Sequence, residues 1–239
     1  NKNQQIAFYS LSSIGIFSFF SYPFAYPFVW VVTFLSIFII TSEYIKPLFS
    51  NILIKKIACM FILTYSLFGS SKLFERIQAE LDWGKASTLA LCKSYNETLP
   101  TYERLEKMFV SNPYFLYNYA AVLQEMKQYT ESLEVALKCR QYWADYDLEL
   151  IIGENYQQLN KPELAEKYYN SASMMCPSRF LPLYKLFHLY KTNGEKERSL
   201  AMAEAVISKP MKIKTTTIRM MKREMEREIQ KMNMSIKLE

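Results

Sequence analysis

Residues 3 to 42 contain no Asp, Glu, Lys, Arg or His. A helix needs about 20 mostly apolar residues to cross a bilayer, so an uncharged run of this length is expected to supply two crossings. Ser21-Tyr22-Pro23-Phe24-Ala25-Tyr26-Pro27 interrupts the run near its middle, and proline both removes a backbone donor and restrains the residue before it. The run therefore reads as two apolar helices, residues 5–21 and 28–42, joined by a turn marked by Ser21, Tyr22, Pro23, Tyr26 and Pro27. A buried pair of water-soluble helices is the competing reading, and it is disfavoured because such helices normally keep a polar face.

A third apolar run, Ile57–Ser71, follows the Lys55-Lys56 pair, and its helix is expected over residues 54–71. It is short for a span unless the lysine stems reach to the interface, and a helix lying on the membrane surface is its rival. Before Lys72 the only charged residues are Lys2, Glu43, Lys46, Lys55 and Lys56. The lysines between the second and third runs place that loop on the cytoplasmic side by the positive-inside rule, which puts everything after Ser71 outside. The expectation is a multi-pass protein of a bacterial inner membrane with a periplasmic domain behind it, and the bilayer is its first partner. The chain opens on Asn1, and its first apolar segment has no small-residue cleavage site, so it reads as the C-terminal part of a longer protein.

After Lys72 charges come every few residues, glycine is nearly absent, and apolar residues recur at helical spacing. Gly153, Tyr156, Ala165, Tyr169, Ala172 and Pro177 fall at the offsets of the tetratricopeptide pattern, a pair of antiparallel helices of about 34 residues. A small residue in the first helix lets the second approach, an alanine in the second does the reverse, and proline ends the pair. Leu116, Ala120, Leu123, Tyr129, Ser132, Ala136 and Cys139 occupy equivalent positions upstream, and Leu183, Leu186, Tyr190, Gly194, Ser199 and Ala203 do so downstream. Trp83-Gly84-Lys85-Ala86 and residues 101–109 form a degenerate earlier pair. The fold class is all-α: three transmembrane helices in residues 1–71, tetratricopeptide-like repeats over 72–210, and a basic capping helix and tail over 211–239. A plain helical bundle is the alternative for the second part.

The sequence resembles a known family at this point. The Ser21-Tyr22-Pro23 turn between apolar helices, the further apolar run and Trp83 resemble the C-terminal end of O-antigen ligase/polymerase-type membrane proteins. The stretches NPYFLYNYAAVLQEMKQYTESL, AEKYYNSASMMCPSRFLPLYKLFHLY and KPMKIKTTTIRMMKREM resemble the tetratricopeptide extension of one bacterial branch. The resemblance implies a glycosyltransferase of lipopolysaccharide or related envelope biosynthesis, moving an undecaprenyl-diphosphate-linked glycan to an acceptor without cofactor or metal. It also implies that the catalytic loop lies upstream, so no catalytic residue is assigned here.

Among individual residues, His188 is the only histidine and reads as a groove or packing residue, since general-base work needs a positioned partner. Stacked helical repeats form extended concave surfaces. In this frame Tyr117, Gln124, Glu125, Glu154, Gln157, Gln158, Tyr184, His188 and Lys191 line the groove, where they are expected to dock a protein partner or an acceptor; a solvated face is the plainer reading. The tail residues Lys209, Lys212, Lys214, Arg219, Lys222, Arg223, Arg227 and Lys231 interleave with Glu224, Glu226 and Glu228. They read as a solvated cap with Glu224–Arg227 and Glu228–Lys231 pairs, contact with anionic headgroups or glycan phosphates being the disfavoured alternative. Asn96-Glu97-Thr98 matches a short glycosylation pattern that is common by chance. The net charge of +6 is spread over mixed signs and leaves no nucleic-acid footprint. Cys59, Cys92, Cys139 and Cys176 lack pairing or metal-ligand spacing, and the last three read as unpaired buried thiols. Two functions remain open: a fragment of the glycan transferase, and a membrane-anchored tetratricopeptide scaffold that binds proteins without catalysis.

Overall fold

The computed structural model describes residues 2–18, 27–41, 52–212 and 215–236. The chain divides into two compact units, Asn1–Ser71 and Lys72–Glu239. Eleven helices are described: α1 (Lys2–Phe17), α2 (Pro27–Thr41), α3 (Ile52–Leu91), α4 (Tyr95–Leu105), α5 (Pro113–Glu125), α6 (Tyr129–Arg140), α7 (Tyr146–Gln158), α8 (Pro162–Met175), α9 (Leu181–Thr192), α10 (Lys196–Ser208) and α11 (Thr216–Ile236).

In the N-terminal unit α1 packs along α2, with Ala7 and Val29 buried and large apolar side chains such as Phe8, Phe34 and Phe61 exposed. Pro27 stands at the first position of α2, where its missing N–H has no helical partner to lose. Ser21, Tyr22, Pro23 and Tyr26 of the expected turn lie outside the described residues.

The expectation of three transmembrane helices is overturned. Among the described residues no helix is long and apolar enough to cross a membrane. α2 is apolar but has 15 residues; at about 1.5 Å per residue it reaches about 22 Å, against a hydrocarbon core of about 30 Å. α1 carries Lys2, Asn3, Gln4 and Gln5 in its first turns and three serines further on; Ser10 and Ser12 donate to the carbonyls of Ile6 and Phe8. α3 is 40 residues long, but Lys55-Lys56 bound its apolar stretch on one side and Lys72, Glu75 and Arg76 on the other. The inner-membrane location and the periplasmic side rested on those spans and fall with them, and the bilayer is left without support as a partner.

The C-terminal unit is built from helix pairs. α5 packs on α6, α7 on α8 and α9 on α10, and each pair stacks on the next through α6–α7, α8–α9 and α10–α11. Within each pair the two helices meet in the same turn. Lys127, Asn160 and Gly194 have φ of 63°, 54° and 77°. Each follows the same backbone pattern: Gln128 N–H donates to Leu123 O, Lys161 N–H to Tyr156 O, and Glu195 N–H to Tyr190 O, all at 2.9 Å. These bonds satisfy carbonyls that a helix end leaves open, in the Schellman arrangement. A fourth copy stands at Lys93, φ 63°, where Ser94 N–H donates to Leu89 O. The left-handed residues 93, 127, 160 and 194 are thus spaced 34, 33 and 34 apart, so the end of α3 and α4 form the degenerate first member of the series.

That member packs through large side chains. Trp83 meets Phe109 and Phe115 at centroid distances of 5.4 and 5.7 Å, and Tyr102 stacks on Tyr119 at 5.5 Å. The following pairs are also joined by buried polar groups. Ser132 Oγ donates to Ala120 O at 2.8 Å and accepts from Asn155 Nδ2 at 2.7 Å, joining α5, α6 and α7. The carboxylate of Glu149 is fully buried, and Arg140 Nε donates to its Oε1 at 2.5 Å. α11 ends the stack. Its Met225 is fully buried among Phe180, Phe187, Ala203 and Val206, while Lys222 Nζ donates to Ile207 O and Lys209 O at 2.6 Å each.

Candidate functional site

Stacking places the first helices of successive pairs side by side, α5 next to α7, and the groove residues lie along them. Most are engaged within the domain. Gln124 Nε2 donates to Ile151 O at 3.3 Å and Asn155 Oδ1 at 3.2 Å. Glu154 pairs with Lys185 at 2.9 Å, and Gln157 Oε1 accepts from Tyr169 Oη at 2.8 Å. Glu125 and Gln158 are exposed on α5 and α7. Tyr117 meets Trp143 edge to face at 5.7 Å.

The third pair differs, because α11 lies against it. Tyr184 Oη donates to Glu224 Oε2 at 2.8 Å, and Lys191 Nζ donates to Glu228 Oε2. His188 Nε2 stands 3.4 Å from Glu224 Oε1 without hydrogen-bond alignment. Burial pushes its pKa below the ordinary 6.5, Glu224 pulling the other way. Tyr184 and Lys191 therefore fasten the cap, with His188 beside Glu224, instead of facing an open groove. Glu224 and Glu228, four residues apart on one face of α11, supply the acceptors. The expected Glu228–Lys231 pair is present at 3.0 Å, whereas Glu224 is directed across to α9. Lys214 lies outside the described residues.

Sequence reasoning missed an aromatic cluster at the start of the groove. Tyr114, 63 % exposed, meets the ring of Trp143 at 5.4 Å, so Trp143 is held between Tyr114 and Tyr117. Tyr114, Asp147 and Leu181 occupy one repeat position, spaced 33 and 34 apart, and that recurrence was the signal available. Burial and the nearby Asp147 and Asp145 raise the Tyr117 phenol.

The remaining candidates resolve as structure. Gly153 faces the ring of Tyr169, and Ala120, Ala165 and Ala172 are fully buried. Tyr156 stacks on Tyr168 at 5.4 Å, and Pro177 lies just past the end of α8. Cys139 is buried, which pushes its thiol up to about 11, and its Sγ donates to Pro113 O. Cys176 is half-buried and Cys92, expected to be buried, is exposed because it falls in the turn after α3. Thr98 is buried and donates to Tyr95 O. Among the described residues no cluster of three His, Cys, Asp or Glu side chains is arranged for a metal.

No protein-family model matches the chain, and no curated protein matches it. Solved structures do. A crystal structure of MamA protein is similar over 54 % of this chain and 72 % of its own, at 14 % identity and TM-score 0.51. MamA 41-end from Desulfovibrio magneticus RS-1 is similar over 61 % of this chain and 76 % of its own, at 18 % identity and TM-score 0.50. The fold is a tetratricopeptide-like helical repeat. YrrB, titled a TPR protein with an unusual peptide-binding site, is similar over 54 % of this chain and 66 % of its own, at 18 % identity and TM-score 0.48. At this identity a likeness shows the fold alone. None of these comparisons supports the O-antigen ligase/polymerase resemblance.

Proposed function

We propose that the repeat domain is a docking scaffold that holds an extended segment of a protein partner along α5 and α7. The observation that carries this reading is the open stretch of groove formed by Tyr114, Glu125 and Gln158, all exposed on the two first helices that α11 does not close. Tyr114 is held against Trp143, so it offers a large amphipathic surface with little rotamer entropy left to lose, as interface anchors do. Stacked helical repeats use such faces for extended partners. Acceptor glycan and lipid-linked donor belong to the transferase reading, and no residue of the groove speaks for them over a peptide. Replacing Tyr114 and Gln158 together by Ala should abolish partner capture by the immobilised chain while leaving its thermal unfolding unchanged. Undiminished capture contradicts the proposal.

A further inference from the structure

The C-terminal unit also holds a cavity of about 1030 Å³ at the N-terminal ends of α7, α9 and α11, whose lining includes none of Tyr114, Glu125 and Gln158. That is room for a small organic ligand. Two loops bring three cations to it: Arg179 from the connection between α8 and α9, and Lys209 and Lys212 from the segment between α10 and α11. Asp147 is the one carboxylate among the described lining residues, which together carry a net charge of +2. Phe180 and Met221 supply an apolar wall.

The cations differ in what already occupies them. Lys222, whose Nζ lies 5.6 Å from the Phe180 ring, is spent on the carbonyls of Ile207 and Lys209, and it fixes the chain that carries Lys209. Lys209 Nζ lies 5.7 Å from the same ring. Burial alone holds its pKa below the ordinary 10.5, with no carboxylate among the causes. A partly desolvated ammonium of this kind gains from an incoming anion. Arg179 lies over the Tyr146 ring at 5.8 Å and close enough to Asp147 to draw down a carboxyl that burial and Asp145 raise.

We propose that this cavity binds a phosphate monoester, its anion held by Arg179, Lys209 and Lys212 and its organic group laid against Phe180 and Met221. A phosphate monoester carries about −1.5 to −2 charge at neutral pH, which three cations arriving from two segments surround better than a single carboxylate does. The guanidinium of Arg179 offers the forked geometry that phosphate oxygens accept, and Asp147 opposes the ligand.

The test is calorimetric titration of the full chain with phenyl phosphate at physiological salt, beside phenol and inorganic phosphate. Phenyl phosphate is expected to bind at least about tenfold tighter than either. Arg179→Gln and Lys209→Met should each weaken it about tenfold, and Asp147→Asn should tighten it. Lys209→Met keeps the stem on Phe180, and unchanged thermal unfolding of that variant shows it is folded. A phosphotyrosine peptide and its tyrosine counterpart run in parallel. Tighter binding of the phosphopeptide than of phenyl phosphate assigns the phosphate to a modified side chain of a partner, and equal binding assigns it to a free ligand. The proposal is overturned if neither phosphorylated probe exceeds its unphosphorylated counterpart, or if binding survives intact in both Arg179→Gln and Lys209→Met.

Discussion

Gly153 of α7 and Tyr169 of α8 are packed so closely that a Cβ at Gly153 would stand 2.6 Å from Cε1 of the tyrosine ring. The ring cannot swing aside freely, because Tyr169 is fully buried and its hydroxyl is bonded to Gln157. Gly153→Ala trades a helix-propensity gain of about 1 kcal/mol for overpacking of about 1–3 kcal/mol. The expected outcome is a net loss of stability in denaturant titration. A second change that shrinks the ring, Tyr169→Leu, should make Gly153→Ala less harmful than it is alone.

Asn155 joins the first two pairs through Ser132 and Gln124. Asn155→Leu leaves the buried Ser132 hydroxyl and the Gln124 amide without that partner, so about 1–3 kcal/mol of stability should be lost. Chemical denaturation measures it, and a loss confined to the midpoint with an unchanged slope would show that the native state stays compact.

Arg140 and Glu149 test how a buried charge is tolerated. Removing Arg140 leaves a fully buried carboxylate without its ion-pair partner, and removing both leaves none. Arg140→Met should therefore be more destabilising than Arg140→Met with Glu149→Leu, compared by thermal unfolding.

The clasp between α9 and α11 should respond to acid in two windows. His188 has a folded pKa below its ordinary 6.5, so below that value the unfolded chain binds more protons and stability falls as pH falls. Glu228 is held below the ordinary 4.5 by Lys191 and Lys231; its contribution is present above 4.5 and is lost as pH falls through the depressed value. A stability–pH profile should show both limbs, and His188→Phe should remove only the upper one.

Met225 anchors the cap in the core of the last pair. Met225→Ala should cost about 2–5 kcal/mol. Hydrogen exchange should then rise first in α9 and α10, whose Phe187, Ala203 and Val206 it covers.

The repeats were legible because Gly153, Ala165, Ala172 and Pro177 are residue types chosen by close helix packing and helix ending. The turn within each pair carries a residue type that enters the left-handed region readily at Gly194 and at Asn160. Lys127 adopts the same backbone with no such residue to signal it. The groove was half legible. Helical periodicity placed Tyr184, His188 and Lys191 on the groove face of α9, but that Glu224 and Glu228 would meet them depends on where a helix about 40 residues downstream docks, which no local pattern encodes. The uncharged opening marked apolar helices without fixing their lengths. The 15 residues of α2 and the polar first turns of α1 decided against spans.

Whether a partner segment runs along α5 and α7 can be read from a photo-activated cross-linking side chain placed at Gln158. The control carries it at Glu163, exposed on the second helix of the same pair. The cross-linked peptides are then identified by mass spectrometry. One partner segment is expected to be joined from position 158 and from a matching probe at Glu125, and not from position 163. The same products from 158 and 163, or none from either groove position, would contradict it.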